Sequence, residues 1–524
     1  MPSFSIQDFM PIFPAAILAV GAMALLLSEA FLVSVPHASA SRGYQSVIGV
    51  ITAAFAGTVA FHNAFEDPRV VLQGFAVLDP FSSFVTVVVA VTVGLAVLLS
   101  AGFLKHRNAE RGEFYALMLF AAAGMSLLAL SAEFITLFVN LEVLSVATYA
   151  LTAYLRRGTR PAEAGFKYFI LGAFSGALLL YGAALLYGAT GTTKLAGMAE
   201  VLRAASSGDK AWLVYCGMVL VATGFAFKVA AVPFHMWTPD VYEGAPTPVT
   251  ALMSAGVKAA AFVALIRVFV ALAPGLGPQV PFVLFGGLAL LTMVAGNLMA
   301  LPQRNVKRML AYSSVAHAGY VLLGVTALFA PAAGTEGHGM GVLSASPLLG
   351  QVPASAHADI YKAILFYLLG YAVTTIGSFG VLAALERRED ETRGTTWDLD
   401  RFAGLAHSKP GWAIAMAACM LSLGGIPPTV GFMGKLLVFR AAVDAGLLGL
   451  AIVGVLTSAA AAYYYLRVVV YMFMRNAAEG AAVPERHWQT DVALAVATAG
   501  VILLGILPGP VTAWLTQATM LALR

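Results

Sequence analysis

Residues 211–239 read AWLVYCGMVLVATGFAFKVAAVPFHMWTP, and this stretch decides the fold. Most of it is one apolar run, long enough to cross a bilayer, because about 20 apolar residues span the hydrocarbon core. Lys228 stands inside that run, and Pro233 follows five residues later. A charge at bilayer depth costs at least about 2.5–3.5 kcal/mol, so a lysine there indicates a path for protons or ions.

The composition places the whole chain in a membrane. Of its 524 residues, 60% are hydrophobic and 11% are charged, whereas about 25% of the residues of a soluble domain are charged. Cys216 and Cys419 lie in apolar runs without metal-ligand spacing, so we expect neither a metal site nor a disulfide. The net charge of +4 is spread over the loops, which argues against a nucleic-acid partner.

Apolar runs of membrane-spanning length recur along the chain, and we count fourteen. The first begins at Pro11 without a preceding basic segment, which is typical of a membrane helix and not of a cleaved signal. The sequence therefore predicts an all-α membrane protein with about fourteen transmembrane helices. Numbered 1 to 14, the predicted spans are 11–33, 44–62, 81–103, 114–131, 133–155, 166–188, 211–233, 248–273, 280–301, 307–330, 358–385, 411–440, 446–474 and 490–513.

The distribution of basic residues predicts the orientation. Loops with an excess of Lys and Arg stay in the cytoplasm, and here they are the odd-numbered loops, so we expect both termini on the outer side. The loop after span 6 has mixed charge. The link after span 7 is an exception to the basic odd-numbered loops, because it carries Asp240 and Glu243. The basic residues counted are Arg42, Lys105, Arg107, Arg111, Arg156, Arg157, Arg160, Arg304, Lys307, Arg308, Arg475 and Arg486.

Two spans contain helix-breaking residues. Span 7 has Pro233, and span 12 has Pro427 and Pro428 behind two glycines. Proline removes a helical hydrogen bond, and broken helices at matching positions of two halves are typical of a transport site. A simple kink is the alternative for either break. Each break lies near a lysine in the same span, which favours the transport interpretation.

A weak internal repeat relates the two halves. The tripeptide Ser-Val-Ala at 145–147 in span 5 recurs at 314–316 in span 10. The residues 169–172 in span 6 similarly resemble 367–370 in span 11, and the broken spans 7 and 12 follow in the same order. The offset is five spans, and because an odd offset reverses direction across the membrane, the repeats would be inverted.

Glu142 in span 5 is the candidate partner of Lys228. It shares a helix face with Ser145 and Tyr149, at i+3 and i+7. Burial disfavours the charged form of each group alone, whereas proximity keeps both charged. Such a pair could act as a switch in which the carboxylate decides whether the amine holds its proton. The alternative is a static buried ion pair, although such pairs are poor stabilisers.

Lys258 is the candidate central group. Thr250, Ser254 and Lys258 follow one another at a spacing of four in span 8, which places them on one stripe of a helix. Hydroxyls there could order water beside the amine. The alternative role for the hydroxyls is hydrogen bonding between helices, which is common in membranes; it does not explain the lysine.

His317 in span 10 has Ser313 and Ser314 one turn before it and Tyr320 one turn after. A neutral imidazole can accept a proton on one nitrogen and donate from the other, so we predict a relay role, with a packing role as the alternative. A polar stripe in span 11 could line the same path or join two helices; its members are Tyr367, Tyr371, Thr374, Thr375 and Ser378.

Lys435 follows the break of span 12 and is the candidate last group of the relay. Its alternative role is snorkelling, in which the side chain reaches the interface. The sequence shows no phosphate-binding glycine loop, dinucleotide fingerprint, cysteine ladder for iron–sulfur clusters or paired histidines for haem. We therefore expect the chain to move protons without redox chemistry of its own.

Three segments resemble a known family. Asn140–Ser145 reads NLEVLS, residues 228–249 read KVAAVPFHMWTPDVYEGAPTPV, and residues 307–314 read KRMLAYSS. These are similar to motifs of the antiporter-like subunits of respiratory complex I, the proton-pumping NADH:quinone oxidoreductase. The resemblance covers roughly spans 4 to 13, and the second motif is highly specific. Lys435 and the early end of the chain after span 14 favour one particular member.

The resemblance implies two inverted five-helix repeats, each with a half-channel. It assigns residues 1–110 to N-terminal helices, 111–275 to the first repeat, 276–476 to the second and 477–524 to the last helix. It makes Glu142 and Lys228 the coupling pair, Lys258 the central relay and Lys435 the terminal lysine. The stretch from Pro331 to Ala356 departs from the family pattern, and we expect an outer loop there.

The resemblance also implies the setting. Flavin, iron–sulfur clusters and quinone would belong to other subunits, and this chain would bind no cofactor. Its partners would be other membrane-arm subunits, including a neighbouring antiporter-like subunit and small membrane subunits, together with lipid, protons and water. The location would be a bacterial inner membrane, with odd loops cytoplasmic and termini periplasmic. Alternatives are a subunit of a multi-subunit cation/proton antiporter and a scaffold whose lysines are inactive.

Overall fold

The computed structural model describes residues 6–32, 43–155, 158–277, 279–331, 354–386, 397–476 and 487–517. Within these ranges, thirteen helices are long and apolar enough to cross a membrane. The remaining predicted span, 411–440, is built from two helices of 15 residues each. The prediction of an all-α membrane protein with about fourteen spans is confirmed. Most of the predicted loop at 331–356 lies outside the described ranges, as do Arg42, Arg156, Arg157 and Arg486 of the orientation argument.

Twenty α-helices are numbered here in chain order. The first half of the chain has α1 Phe13–Leu32, α2 Gly43–Asn63, α3 Pro80–His106, α4 Gly112–Leu130, α5 Phe134–Thr152, α6 Thr159–Thr190, α7 Met198–Ala205, α8 Ala211–Val229, α9 Thr238–Gly244, α10 Thr247–Leu252 and α11 Lys258–Leu276. The second half has α12 Gln279–Ala300, α13 Val306–Ala327, α14 Ala354–Leu385, α15 Leu405–Ser408, α16 Pro410–Gly424, α17 Val430–Asp444, α18 Leu448–Met474, α19 Trp488–Ile506 and α20 Gly509–Gln517.

Spans 7 and 12 are broken, as predicted, and the two breaks have the same form. Helix α8 is followed by Ala230 and helix α16 by Gly425, both in the left-handed conformation. In each case the next N–H bonds the carbonyl five residues earlier, as in a Schellman cap. The cap residues lie three residues before Pro233 and Pro428, so each helix has already ended when the chain reaches the proline.

Span 8 contains an irregularity that the sequence did not predict. Helix α10 passes into a π-helical turn over Met253–Val257, and α11 continues at Lys258. A π turn inserts an extra residue into a helix, and such turns are frequent at functional sites. The central lysine thus stands directly after the irregular turn.

Two short strands add a small hairpin that the sequence reading did not include. Strand β1, Arg69–Val71, pairs antiparallel with β2, Ala76–Leu78, between α2 and α3. Lys194, in the loop between α6 and α7, donates a hydrogen bond to the Gln73 carbonyl at the hairpin tip. The hairpin therefore joins the loops at one end of the helix bundle.

Helix α13 lies at the centre of the bundle. Of its 18-residue apolar window, 94% is buried inside the protein, against 28% for α19 and 33% for α18. Helix α13 packs against α12 on one side and against α9, α14 and α17 on others. Polar side chains on α13 are thus enclosed by protein, which is the condition under which they are tolerated at membrane depth.

Candidate functional site

The predicted intramembrane cations are enclosed. Lys228 and Lys258 are each 2% exposed, and Lys435 and His317 are each 5% exposed. None of the three lysines is in an ion pair with a described acidic residue, since no carboxylate oxygen in the described ranges lies within 4.0 Å of their amines. Snorkelling of Lys435 to an interface is therefore excluded by its burial.

Lys228 lies in the last turn of α8, just before the break. Its Nζ donates a hydrogen bond of 2.7 Å to the Ser145 hydroxyl on α5. The amine also lies 5.5 Å from the ring centre of Tyr149 and 5.8 Å from that of Tyr168. Cation–π attraction and one hydroxyl thus replace part of the hydration shell of the amine. Ser145 and Tyr149, predicted from the sequence as companions of Glu142, contact the lysine.

Glu142 does not form a direct ion pair with Lys228. Its Oε1 is buried and has no hydrogen-bond partner among the described residues. The carboxylate packs against Gly176 of α6, where a Cβ would come within 2.8 Å of Oε1. A buried carboxylate oxygen without a partner is unfavourable, so this group needs a proton, a water or another chain to satisfy it. Ser145, on the same face of α5, accepts the hydrogen bond from the Lys228 amine.

Lys258 binds a helix other than its own. Its Nζ donates to the Ser314 carbonyl at 2.5 Å and to the Ser314 hydroxyl at 2.6 Å, both on α13. The structure does not bring Thr250 and Ser254 to the amine. Thr250 donates to the Tyr242 carbonyl and Ser254 to the Ala251 carbonyl, because side chains in a helix can satisfy themselves on nearby backbone.

The two Ser-Val-Ala tripeptides occupy related positions. Ser145 binds Lys228, and Ser314 binds Lys258. Both serines are 0% exposed. A recurrence that was weak evidence in the sequence therefore corresponds to a shared contact, in which a serine on one helix accepts a hydrogen bond from a lysine on another.

His317 uses both ring nitrogens. Nδ1 lies 2.7 Å from the Tyr367 hydroxyl on α14, and Nε2 lies 3.2 Å from the Tyr465 hydroxyl on α18. The Tyr465 hydroxyl also bonds Ser313, one turn before the histidine. The ring can therefore accept a proton on one side and donate on the other. This geometry meets the requirement of the predicted relay role, and it also satisfies both nitrogens of a packed histidine.

Lys435 donates a hydrogen bond to a backbone carbonyl at the helix break that precedes it. Its Nζ donates to the Leu423 carbonyl at 2.8 Å and to the Ser458 hydroxyl at 2.7 Å. In an uninterrupted helix the Leu423 carbonyl would accept from residue 427, which is a proline without an N–H. The amine also lies 5.2 Å from the ring centre of Tyr320 on α13.

A cavity of about 10 Å³ lies between α14, α16 and α17. It is lined by His317, Tyr367, Tyr371, Thr374 and Ser422, among others. This volume is about that required for one water molecule, and the lining offers enough polar partners to hold it. Thr374 bonds Ser422 at 3.0 Å. The two remaining members of the predicted α14 set bond their own helix: Thr375 donates to the Tyr371 carbonyl and Ser378 to the Thr374 carbonyl.

Several polar residues at the site were missed by the sequence reading. Tyr465 and Ser458 lie on α18, Ser422 on α16 and Asn297 on α12. The amide of Asn297 donates to the Tyr320 hydroxyl, and Tyr464 donates to its oxygen, each at 3.0 Å. Polar residues inside apolar spans are the available signal, and span 13 carries two of them at Ser458 and Tyr465.

The acidic link after span 7 is neutralised by neighbouring cations. Arg308 on α13 bonds both Asp240 and Glu243 at 2.9 Å, and Lys167 on α6 bonds Asp240 at 2.8 Å. Burial raises the pKa of the Asp240 carboxyl, but the hydrogen bonds from Lys167 and Arg308 outweigh it and bring the net pKa below the ordinary value. The local charge that opposed the orientation rule is thus balanced. These residues line a polar cleft of about 170 Å³.

Fold and site together define a multi-pass membrane protein with broken helices and an enclosed row of amines. A family model described as NADH:quinone oxidoreductase/Mrp antiporter, TM, matches residues 131–344 and 349–461. The NADH-quinone oxidoreductase subunit N of Myxococcus xanthus is 64% identical over 520 residues, covering 99% of both chains.

Solved structures of related complexes contain chains with the same fold. A chain of respiratory complex I from Thermus thermophilus superposes with a TM-score of 0.75 at 34% identity, covering 97% of this chain and 100% of that one. A chain of the Mrp complex from Dietzia sp. DQ12-45-1b shares the fold, with a TM-score of 0.73 at 21% identity and coverage of 98% and 97%. The chain therefore belongs to the family of antiporter-like membrane subunits of NADH:quinone oxidoreductases and Mrp antiporters, within the subunit N group. The resemblance noted in the sequence is confirmed.

Proposed function

We propose that this chain is a proton-translocating membrane-arm subunit of an NADH:quinone oxidoreductase. The observation that carries the proposal is the set of three buried amines, each hydrogen-bonded to a hydroxyl of another helix, together with a buried histidine bonded to two tyrosines. Buried cations without acidic partners are costly and mark ion paths in membrane proteins.

The proposed order is Glu142, Lys228, Lys258, His317 and Lys435. Ser145, Tyr149, Tyr371 and Thr374 support it through contacts with the amine of Lys228 or with the cavity beside His317. Glu142 would act through its charge, because it lies on the same face of α5 as Ser145 without touching Lys228. When that charge is near, Lys228 keeps its proton; when it is neutralised, Lys228 releases it.

The wider setting belongs to the same proposal. The chain would form two inverted repeats at 111–275 and 276–476, flanked by 1–110 and 477–524, in a bacterial inner membrane with odd loops cytoplasmic and termini periplasmic. Flavin, iron–sulfur clusters and quinone would sit on other subunits, which would supply the driving force. The matching caps at Ala230 and Gly425 support the repeat.

The test is proton pumping and quinone reductase activity in the assembled complex. Lys228→Ala or Glu142→Ala should lower both together, and Lys210→Ala, at an exposed lysine of the same chain, should change neither. Unchanged pumping in the first two variants would remove the pair from the mechanism. Purification separates the alternative: isolation without flavin and iron–sulfur subunits, and with cation/proton exchange activity, would indicate a multi-subunit antiporter.

A further inference from the structure

Helix α3 is joined to the lysine-bearing span 8 at both of its ends. Span 8 consists of α10, the π turn and α11, so it runs from Thr247 to Leu276. Buried charged side chains connect each end of α3 with this span. These connections lie outside the proposed proton relay, and the proposed function does not use them.

The first connection is the pair Asp79–Arg267. Asp79 caps the N-terminus of α3 by accepting from the Ser82 N–H at 2.8 Å. Its other oxygen lies 2.9 Å from Arg267 Nη2 on α11, and the side chains are 0% and 1% exposed. One carboxylate thus binds both the start of α3 and the C-terminal half of span 8.

The second connection is a group of three at the opposite end. Arg107, the residue after α3, pairs with Glu386 at 2.9 Å, and both side chains are 4% exposed. The second oxygen of Glu386 accepts from the hydroxyl of Thr247, the first residue of α10. Glu386 directly follows α14, so this group joins α3, α10 and the helix that carries Tyr367.

The irregular turn lies between the two connections. A Cβ on Gly256 would come within 3.0 Å of Met125 Sδ and 3.5 Å of Thr92 Cγ2, and Thr92 belongs to α3. A π turn holds one more residue than an α turn, so its helix can change register by one residue. With span 8 held to α3 on both sides of this turn, at Thr247 and at Arg267, the register of Lys258 along the span is constrained.

We propose that α3 is a strut that sets the position of Lys258, with Asp79, Arg107, Arg267 and Glu386 as positioning residues. Buried ion pairs contribute little to stability compared with apolar packing, whereas a hydrogen-bonded charge pair imposes a defined geometry. The inference rests on the proposed role of Lys258 in proton transfer. It adds that the N-terminal helices, which lie before the motif-bearing repeats, determine where the central amine stands.

The experiment uses Glu386→Gln and Asp79→Asn in the assembled complex, with turnover normalised to flavin content. Both variants keep side-chain shape, and a displaced reacting group costs roughly 10- to 100-fold in rate. We expect kcat to fall by roughly this factor with an unchanged KM for quinone. His106→Gln is the matched control, because His106 joins the same end of α3 to His487 and does not contact span 8 through that bond.

Further variants separate the possible failures. Exchange of the charges in Arg107→Glu with Glu386→Arg should restore part of the kcat lost in Glu386→Gln. Less assembled complex with unchanged kcat per flavin, or an equal loss in His106→Gln, would make the connections purely structural and overturn the inference. A charge exchange that restores assembly without restoring kcat would also overturn the inference. If Lys258→Ala itself keeps full pumping, the proposed function fails independently of the strut.

Discussion

Lys435 donates a hydrogen bond to the one backbone carbonyl that Pro427 leaves without a helical donor, the carbonyl of Leu423 at 2.8 Å. The charge and the helix break are therefore parts of one arrangement. If the amine moves away, the carbonyl loses its partner, so the backbone at the break responds to the position of the side chain.

Replacing Lys435 should affect stability as well as pumping. In Lys435→Ala, the Leu423 carbonyl and the Ser458 hydroxyl both lose the amine, and an unsatisfied buried group costs about 1–3 kcal/mol. We expect lower pumping together with faster thermal inactivation of the complex. Arg440→Ala, at an exposed site on the same helix, is the control and should leave both measurements unchanged. Equal thermal stability of Lys435→Ala and the native complex would contradict this account.

Tyr465→Phe should slow proton transfer at His317. The change removes only the hydroxyl that bonds His317 Nε2 and Ser313. Loss of a positioned proton-transfer group costs roughly 10²–10⁴-fold in the step it serves, so turnover should fall until this step limits the rate. Tyr463→Phe, at an exposed tyrosine two residues earlier, should have no effect. The measurement is proton pumping in vesicles, and equal rates for the two variants would exclude Tyr465 from the path.

The serines that bind the lysines should differ in importance. Ser145→Ala removes the hydroxyl that accepts from Lys228, whereas in Ser314→Ala the backbone carbonyl still accepts from Lys258. We expect a larger loss of pumping in Ser145→Ala. Ser254→Ala should be neutral, because Ser254 donates to its own helix. A stronger effect at Ser254 than at Ser314 would restore the original interpretation of the polar stripe in span 8.

Asp240→Asn should lower stability at neutral pH and not in acid. Because bonds from Lys167 and Arg308 lower the pKa of Asp240 against the opposing effect of burial, its stabilising contribution is present above the unfolded value, about 3.9. This contribution is lost as the pH falls through the folded pKa. For a partly exposed pair we expect roughly 0.5–1 kcal/mol. Thermal unfolding of native and variant protein at pH 7 and at a pH below the folded pKa of Asp240 measures it; a difference that persists at the lower pH would refute the charge argument.

The spans and their breaks were predictable because each depends on local composition. Apolar runs predicted most helices to within about four residues, and the prolines located both breaks. The exceptions are α6, which begins at Thr159 and not at 166, and the last span, which ends at Ile506 and not at 513. Helices α8 and α16 end at Val229 and Gly424, because a left-handed cap at Ala230 and at Gly425 precedes each proline. No residue type marks a π turn, so the irregularity before Lys258 was missed.

The partners of the site residues were less predictable. Spacing along one helix suggested Thr250 and Ser254 as companions of Lys258, whereas the amine binds Ser314 on α13. Sequence periodicity reports which residues share a face of one helix, and it does not report which face meets another helix. Tyr465 and Ser458 were missed for the same reason.

The two matching helix breaks differ in the substitutions that their cap residues accept. Ala230 adopts a left-handed conformation with φ of 61°, which glycine adopts more readily, so Ala230→Gly would relieve local backbone strain. At the other break a methyl group on Gly425 would come within 2.8 Å of Lys435 Cδ. Of the two matching breaks, one thus holds a strained residue that glycine would relieve, and at the other a larger residue would adopt a strained φ and displace the Lys435 side chain.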